Sequence, residues 1–166
     1  MTGTVPIEEK ISVAYEIASR IYQLFKRDAL LERVEKVKEM ALRSKAMMDE
    51  LGVARLCTQC ALAGDGAGCC SKKIEDWYEV PTIVLNLLLG VSLPTGRHHE
   101  NSCIFLGENG CTLIVRYHFC VNYLCKKIER SLGQEALSLM KAQYGSELFA
   151  VWELEKVIWR YFNMNL

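Results

Sequence analysis

Both ends of the chain carry apolar residues at intervals of three and four, the spacing typical of amphipathic helices. The N-terminal pattern predicts a helix over 7–25 and a second over about 29–51, ended by Gly52. The C-terminal pattern predicts a helix over 134–144, ended by Gly145, and a last helix capped by Ser146. We expect these apolar stripes to be packing faces.

The middle of the chain has many glycines and few periodic apolar stretches. Residues 56–72 and 98–111 are predicted to be loop, and the second segment contains the turn pair Asn109-Gly110. Pro81 to Leu89 predicts one short helix closed by Gly90, and residues 112–115 allow one short strand at most. The predicted fold class is mainly α, with helical arms at 1–56 and 126–166 flanking a loop-rich module at 57–125. We expect them to form one compact domain.

Composition excludes several classes of function. The chain has 166 residues, of which 51% are hydrophobic and 24% charged, as is typical of soluble globular proteins. Twenty basic residues balance twenty acidic ones, so charge gives no reason to expect nucleic acid or an anionic membrane as partner. The longest apolar run, Ile83 to Val91, falls far short of the ~20 residues of a transmembrane helix. The first ten residues lack a basic segment followed by an apolar core, so we predict a cytoplasmic protein.

Eight cysteines are the unusual feature, and all of them fall inside the central module. Cytosolic thiols stay reduced, so such a group favours metal ligation over a disulfide scaffold. Cys57-x2-Cys60 has the spacing of knuckles in zinc and iron–sulfur sites, and Gly64, Gly66 and Gly68 would let the backbone fold closely around a metal. The predicted metal ligands are Cys57, Cys60, Cys69, Cys70, Cys103, Cys111, Cys120 and Cys125.

Thiol–disulfide redox chemistry and inert packing are the alternatives to metal ligation. A thioredoxin-like motif would need a βαβ pattern beside Cys57 and Cys60, whereas two helices are predicted upstream. Four thiolates complete one zinc site or hold one iron–sulfur cluster, so the count leaves the metal open. Because adjacent side chains diverge, we expect Cys69 and Cys70 to be unequal as ligands. His118 lies in the module and could replace a sulfur.

The cysteines stand in three segments with distinctive neighbours. The segments are Cys57-x2-Cys60 with Cys69-Cys70, then Ser102-Cys103-Ile104-Phe105-Leu106-Gly107-x2-Gly110-Cys111-Thr112-Leu113, then Arg116-x3-Cys120-x-Asn122-Tyr123-x-Cys125. Together they resemble the zinc- or iron-chelating cysteine-cluster family, which includes flagellin lysine methylases, although that family often has Arg-Pro where this chain has Arg116-Tyr117. The resemblance implies a bound metal, and for its methylases it implies S-adenosylmethionine and a protein lysine as substrate.

Three hypotheses of function follow. The first is a metal-binding protein whose zinc or iron–sulfur centre is structural or carries electrons. The second, implied by the resemblance, is an enzyme like the protein-lysine methyltransferases that uses S-adenosylmethionine and acts on a partner protein. The third is a thiol-redox or metal-storage protein. The glycines at 64, 66 and 68 do not form a dinucleotide fingerprint, because Cys69-Cys70 follows them at once where a helix would have to open.

Overall fold

The computed structural model describes residues 5–24, 28–63 and 69–164 and confirms a mainly α fold. The helices are α1 (Ile7–Leu24), α2 (Asp28–Glu50), α3 (Val53–Ala63), α4 (Val80–Leu88), α5 (His118–Asn122), α6 (Lys126–Ser131) and α7 (Gln134–Met164), with a 3-10 turn at Ile74–Trp77. Two short strands, β1 (Leu106–Gly107) and β2 (Gly110–Cys111), pair antiparallel, with Leu106 opposite Cys111. Within these described ranges, no helix is both long and apolar enough to cross a membrane.

The main hydrophobic core forms where helices pack in pairs. α1 packs along α4, and α2 packs along α7, which also contacts α4 and α5. Ala14 and Ile21 of α1, Val37 of α2, Ile83 of α4 and Leu154 of α7 are all buried in this core. The predicted packing faces of the arms are therefore confirmed. Because α4 belongs to the central module, one core joins all three segments that the sequence suggests.

A second, smaller hydrophobic cluster is built from α2, α3, α5, α6 and α7. Its buried members are Met48, Val53, Val121, Ile128, Met140 and Tyr144. Cys57 and Cys125 pack against this cluster, whereas Cys70 and Cys111 pack against the main core and Cys103 belongs to it. These five cysteines are thus divided between the two apolar clusters.

The predicted loop over 56–72 is wrong in its first half. Gly52 ends α2 as predicted, with a φ of 70°, and the eleven residues of α3 follow directly at Val53–Ala63. No glycine or proline interrupts those eleven residues. The glycines that suggest a loop, at 64, 66 and 68, lie outside the described residues. The prediction that they let the backbone fold closely around a metal concerns those residues.

Gly145 does not end a helix, because α7 continues through it to Met164. A glycine inside a helix costs about 1 kcal/mol relative to alanine. Residues on both sides of Gly145 are buried, including Tyr144, Val151 and Leu154. This burial outweighs the preference of one glycine, since tertiary packing supplies most of the stability of a helix in a protein.

The strand predicted around 112–115 is also misplaced. The strands lie just before it, and Gly110, with a φ of 106°, forms the hairpin turn that Asn109-Gly110 suggests. The backbone of 114–115 is bound by a side chain of α4 instead. Oδ1 of Asn86 accepts the N–H groups of Ile114 and Val115, both at 3.0 Å, and its Nδ2 donates to the Val115 carbonyl at 2.8 Å. The predicted helix α4, closed by Gly90, is confirmed.

Candidate metal centre

The first cysteine pair lies on a helix. Cys57 and Cys60 are three residues apart on α3, a spacing that brings side chains to neighbouring positions on a helix surface. The backbone knuckle that their spacing suggests is therefore absent at this pair, because their amides belong to a regular helix. Cys57 is half-buried against the second hydrophobic cluster.

The adjacent pair Cys69-Cys70 is tied by its backbone to the segment around Cys103. The N–H of Cys103 donates to the carbonyl of Cys70 at 2.8 Å. Ser71 and Ser102 form an isolated antiparallel bridge one residue further along. These bonds bring together two cysteine segments that are more than thirty residues apart in sequence.

The last three cysteines come from short elements of the module and its edge. Cys111 is the last residue of β2, Cys120 lies in the single turn of α5, and Cys125 is the N-cap residue of α6. α3 contacts β2, and α5 contacts α7. The hairpin therefore brings Cys111 toward the helix that carries Cys57, and α5 places Cys120 beside α7.

Six of the eight cysteines line one cavity of about 90 Å³. The space is several times the ~15 Å³ that a single water needs. The cysteines lining it are Cys57, Cys69, Cys70, Cys103, Cys111 and Cys120. The other two, Cys60 and Cys125, lie outside the lining, although both thiols are close enough to contribute to the raised pKa of Cys57. His118 is exposed and does not line the cavity.

Burial and mutual repulsion keep most of these thiols protonated. Burial, followed by the proximity of Cys69 and Cys125, raises the pKa of Cys57 to about 11. Burial also raises the pKa of Cys120 to about 11, with a further contribution from Cys111. Burial is also the main cause of the raised pKa values of Cys103 and Cys111. A group of thiols that resists ionisation in this way is sensitive to any cation placed among them.

Cys69 and Cys70 differ in acidity. A hydrogen bond between the two thiols lowers the pKa of Cys69 and raises that of Cys70. Both side chains nevertheless line the same cavity, although adjacent side chains ordinarily diverge. The two thiols thus differ in acidity while both reach the cavity. That they are unequal as ligands stays a prediction.

Backbone amides donate to two of the sulfurs. The N–H of Phe105 hydrogen-bonds Cys103 and the N–H of Leu113 hydrogen-bonds Cys111, and each bond offsets part of the pKa rise that burial causes. Each donor lies two residues after its cysteine. The chain turns at these positions, so the amides are not used by a helix as they are at Cys57 and Cys60.

Several other polar groups line the cavity. Arg116 and Lys45 supply positive charge, and Tyr78 and Tyr123 supply hydroxyl groups. Tyr78 is almost completely buried, and its hydrogen bond partly offsets the raised pKa of Cys120. Sequence reasoning missed Arg116 and Tyr78 as cavity residues. The position of Arg116 as the sole arginine between Cys111 and Cys120 is the one feature that could have indicated it.

The thiols do not stand in metal-ligand geometry as they are. Among the described residues, no three or more His, Cys, Asp or Glu side chains are grouped so that they could hold a metal ion. The donor set fits a soft metal nonetheless, because thiolates are the ligands that zinc and iron–sulfur clusters prefer. A cysteine sulfur changes position by rotation about one bond, χ1. Ligation would therefore require rotamer changes in side chains that already line the cavity.

No protein-family model, curated protein or solved structure matches this chain. The resemblance to the zinc- or iron-chelating cysteine-cluster family stays a prediction.

Proposed function

We propose that this protein binds a metal centre, zinc or an iron–sulfur cluster, through cysteine thiolates in the cavity. The observation that carries the proposal is the convergence of six cysteines, from α3, the 69–70 segment, the Cys103 turn, β2 and α5, on one space. A buried cysteine on its own is usually a small apolar residue. Six around one cavity, in a chain whose arms have none, favour ligation over packing.

Residues of the chain would hold the thiolates in place. The amides of Phe105 and Leu113 and the hydroxyl of Tyr78 already interact with Cys103, Cys111 and Cys120. Hydrogen bonds to the charged form stabilise a thiolate. The metal, when bound, supplies the positive charge that keeps its ligands deprotonated. The protein's part is to place the sulfurs, donate hydrogen bonds to them and keep them largely out of water.

The role proposed for the centre is structural or electron-carrying. A cytoplasmic location belongs to the proposal, since all eight cysteines are free thiols and the cytosol keeps thiols reduced. Thiol redox chemistry and metal storage stay hypotheses for the same sulfurs. A lysine methyltransferase activity stays a prediction of the family resemblance, and binding of S-adenosylmethionine by the purified protein tests it.

Elemental analysis of protein purified without oxygen tests the metal centre. We expect zinc or iron at a fixed ratio to the chain, and a brown colour if the metal is an iron–sulfur cluster. Cys111→Ser and Cys120→Ser should lose most of the metal, because both sulfurs line the cavity. Cys60→Ser is the matched control outside the lining and should retain it. Wild-type protein with neither zinc nor iron would contradict the proposal.

A further inference from the structure

Arg116 is a cation built into the cavity wall. Its guanidinium lines the cavity with the six cysteines, and Nη1 donates to the sulfur of Met48 at 2.8 Å. The two residues before it are fixed to α4 through the buried side chain of Asn86. The backbone that carries the guanidinium is therefore anchored in the main core.

Two acidic groups of α7 lie behind this guanidinium. Glu147 and Tyr144 are each 1% exposed, and Arg116 lowers the pKa of both, although burial raises each pKa overall. Oε2 of Glu147 has no hydrogen-bond partner within the described part of the chain. Arg116 acts on this buried carboxyl group through its charge, from its place beside the cavity.

The charge of Arg116 reaches the thiols in front of it. Cys57, Cys111 and Cys120 line the same cavity as its guanidinium, so a negative charge that develops on these sulfurs shares one enclosed space with the cation. Lys45, the other cation in the lining, is half-exposed and pairs with Asp49 at 3.1 Å. Solvent and that carboxylate screen the charge of Lys45, whereas the guanidinium of Arg116 is more deeply placed.

A cysteine-ligated centre needs such a cation. Four thiolates on one divalent zinc ion give a complex with two net negative charges, and burying uncompensated charge is costly. We propose that Arg116, which lines the cavity beside the cysteines, is the fixed counter-cation of the cysteine centre and makes the cavity selective for thiolate complexes of net negative charge. The inference rests on the proposed metal-binding function and assigns Arg116 as a positioning residue for its ligands.

Zinc affinity measured by competition with a chelator at neutral pH tests this role. The main variant combines Arg116→Met with Glu147→Gln, so that no carboxylate is left buried without its cation. We expect this variant to bind zinc about 10–100-fold more weakly than wild type, the usual effect of losing a group that supports metal ligands. Arg116→Lys retains the charge and should stay within a few-fold of wild type. Arg43→Met, the matched control at an exposed, ion-paired arginine of α2 outside the cavity, should do the same.

A second readout uses the metal-free protein. Loss of the cation should slow the reaction of the cavity thiols with iodoacetamide, because the thiolate is the reacting form. A purely structural Arg116 would change thermal stability and leave both zinc affinity and alkylation rate unaltered. If the double variant does not fold, Arg116→Gln, which removes the charge and keeps a polar side chain, is measured in the same way.

The outcomes separate this inference from the metal centre itself. If the double variant or Arg116→Gln binds zinc as tightly as wild type, Arg116 is not the counter-cation. The proposed metal centre would be unaffected by that result. Wild-type protein that takes up neither zinc nor iron would overturn the proposed function, and the counter-cation with it.

Discussion

Asn86 is the strongest candidate for a single side chain that stabilises the cavity from a distance. It is fully buried in α4 and makes four hydrogen bonds, to the Thr82 carbonyl and to the backbone of Ile114 and Val115. These bonds fix the segment that links Cys111 to Arg116. We predict that Asn86→Leu, which keeps the branched shape of the side chain and removes the amide, strongly destabilises the protein.

The magnitude follows from the groups left without partners. Val115 is fully buried, so its N–H and carbonyl would both lose their Asn86 partner in the core, whereas Ile114 is only half-buried. A buried polar group without a partner costs about 1–3 kcal/mol. Two such groups give a loss of about 4 kcal/mol, a large part of the ~5–15 kcal/mol that stabilises a typical domain.

Urea denaturation followed by circular dichroism measures the loss, and thermal unfolding should shift downward by about 8–16 °C for a chain of this length. Asn101→Leu is the matched control, because Asn101 is exposed and a surface change of this kind stays within about 0.5 kcal/mol. A loss below about 1 kcal/mol for Asn86→Leu would refute the argument. It would mean that water or a rearranged backbone satisfies Val115 as well as the amide does.

Three further predictions concern stability. Gly145→Ala should raise stability by about 0.5–1 kcal/mol in urea denaturation, because Gly145 lies inside α7 with open space around its Cα; a decrease would show that the glycine is needed. Burial raises the pKa of Glu155 above 4.5 despite its hydrogen bond from Thr82, so its contribution to stability is present below that value and lost as pH rises through the folded-state pKa. Glu155→Gln should therefore gain stability relative to wild type as the pH rises above 4.5, and a difference that does not change with pH would contradict the assignment. Removing bound metal with a chelator should lower the melting temperature but leave the helical circular dichroism largely intact, and cooperative loss of helix would show that the helices depend on the metal.

Local patterns predict the elements whose cause is local. The apolar stripes that predict α1 and α2 lie within those helices, and Pro81 and Gly90 mark the two ends of α4. The structure confirms all three helices. The sequence does not predict α3 because most of its eleven residues are grouped with the glycines at 64, 66 and 68 in one segment. Those glycines make the whole segment look like a loop. The prediction that a helix ends at Gly145 is wrong because α7 packs against α2, and no local pattern reveals that packing. It outweighs the low helix propensity of one glycine.

The cavity is a property of long-range contacts, and spacing predicts it only in part. Sequence identifies the eight cysteines as a set, but it cannot show that Cys57 lines the cavity while Cys60, three residues along the same helix, does not. Nor does it reveal that amides donate to the sulfurs of Cys103 and Cys111, since that depends on how the hairpin turns. The asparagine that anchors the Arg116 segment lies some thirty residues away in sequence.

The cysteines are held by elements that are already packed, which decides how metal binding is coupled to folding. Cys103 belongs to the main core, Cys57 is held on α3, and Cys111 is held by a hairpin beside the fully buried Phe105. Zinc fingers, by contrast, are unfolded without their metal, so that the free energy of binding is also that of folding. Here a set of thiols that burial keeps mostly neutral is compatible with a folded, metal-free cavity. An incoming metal has to displace protons from groups whose pKa values burial has raised, and its apparent affinity should therefore fall steeply as the pH is lowered.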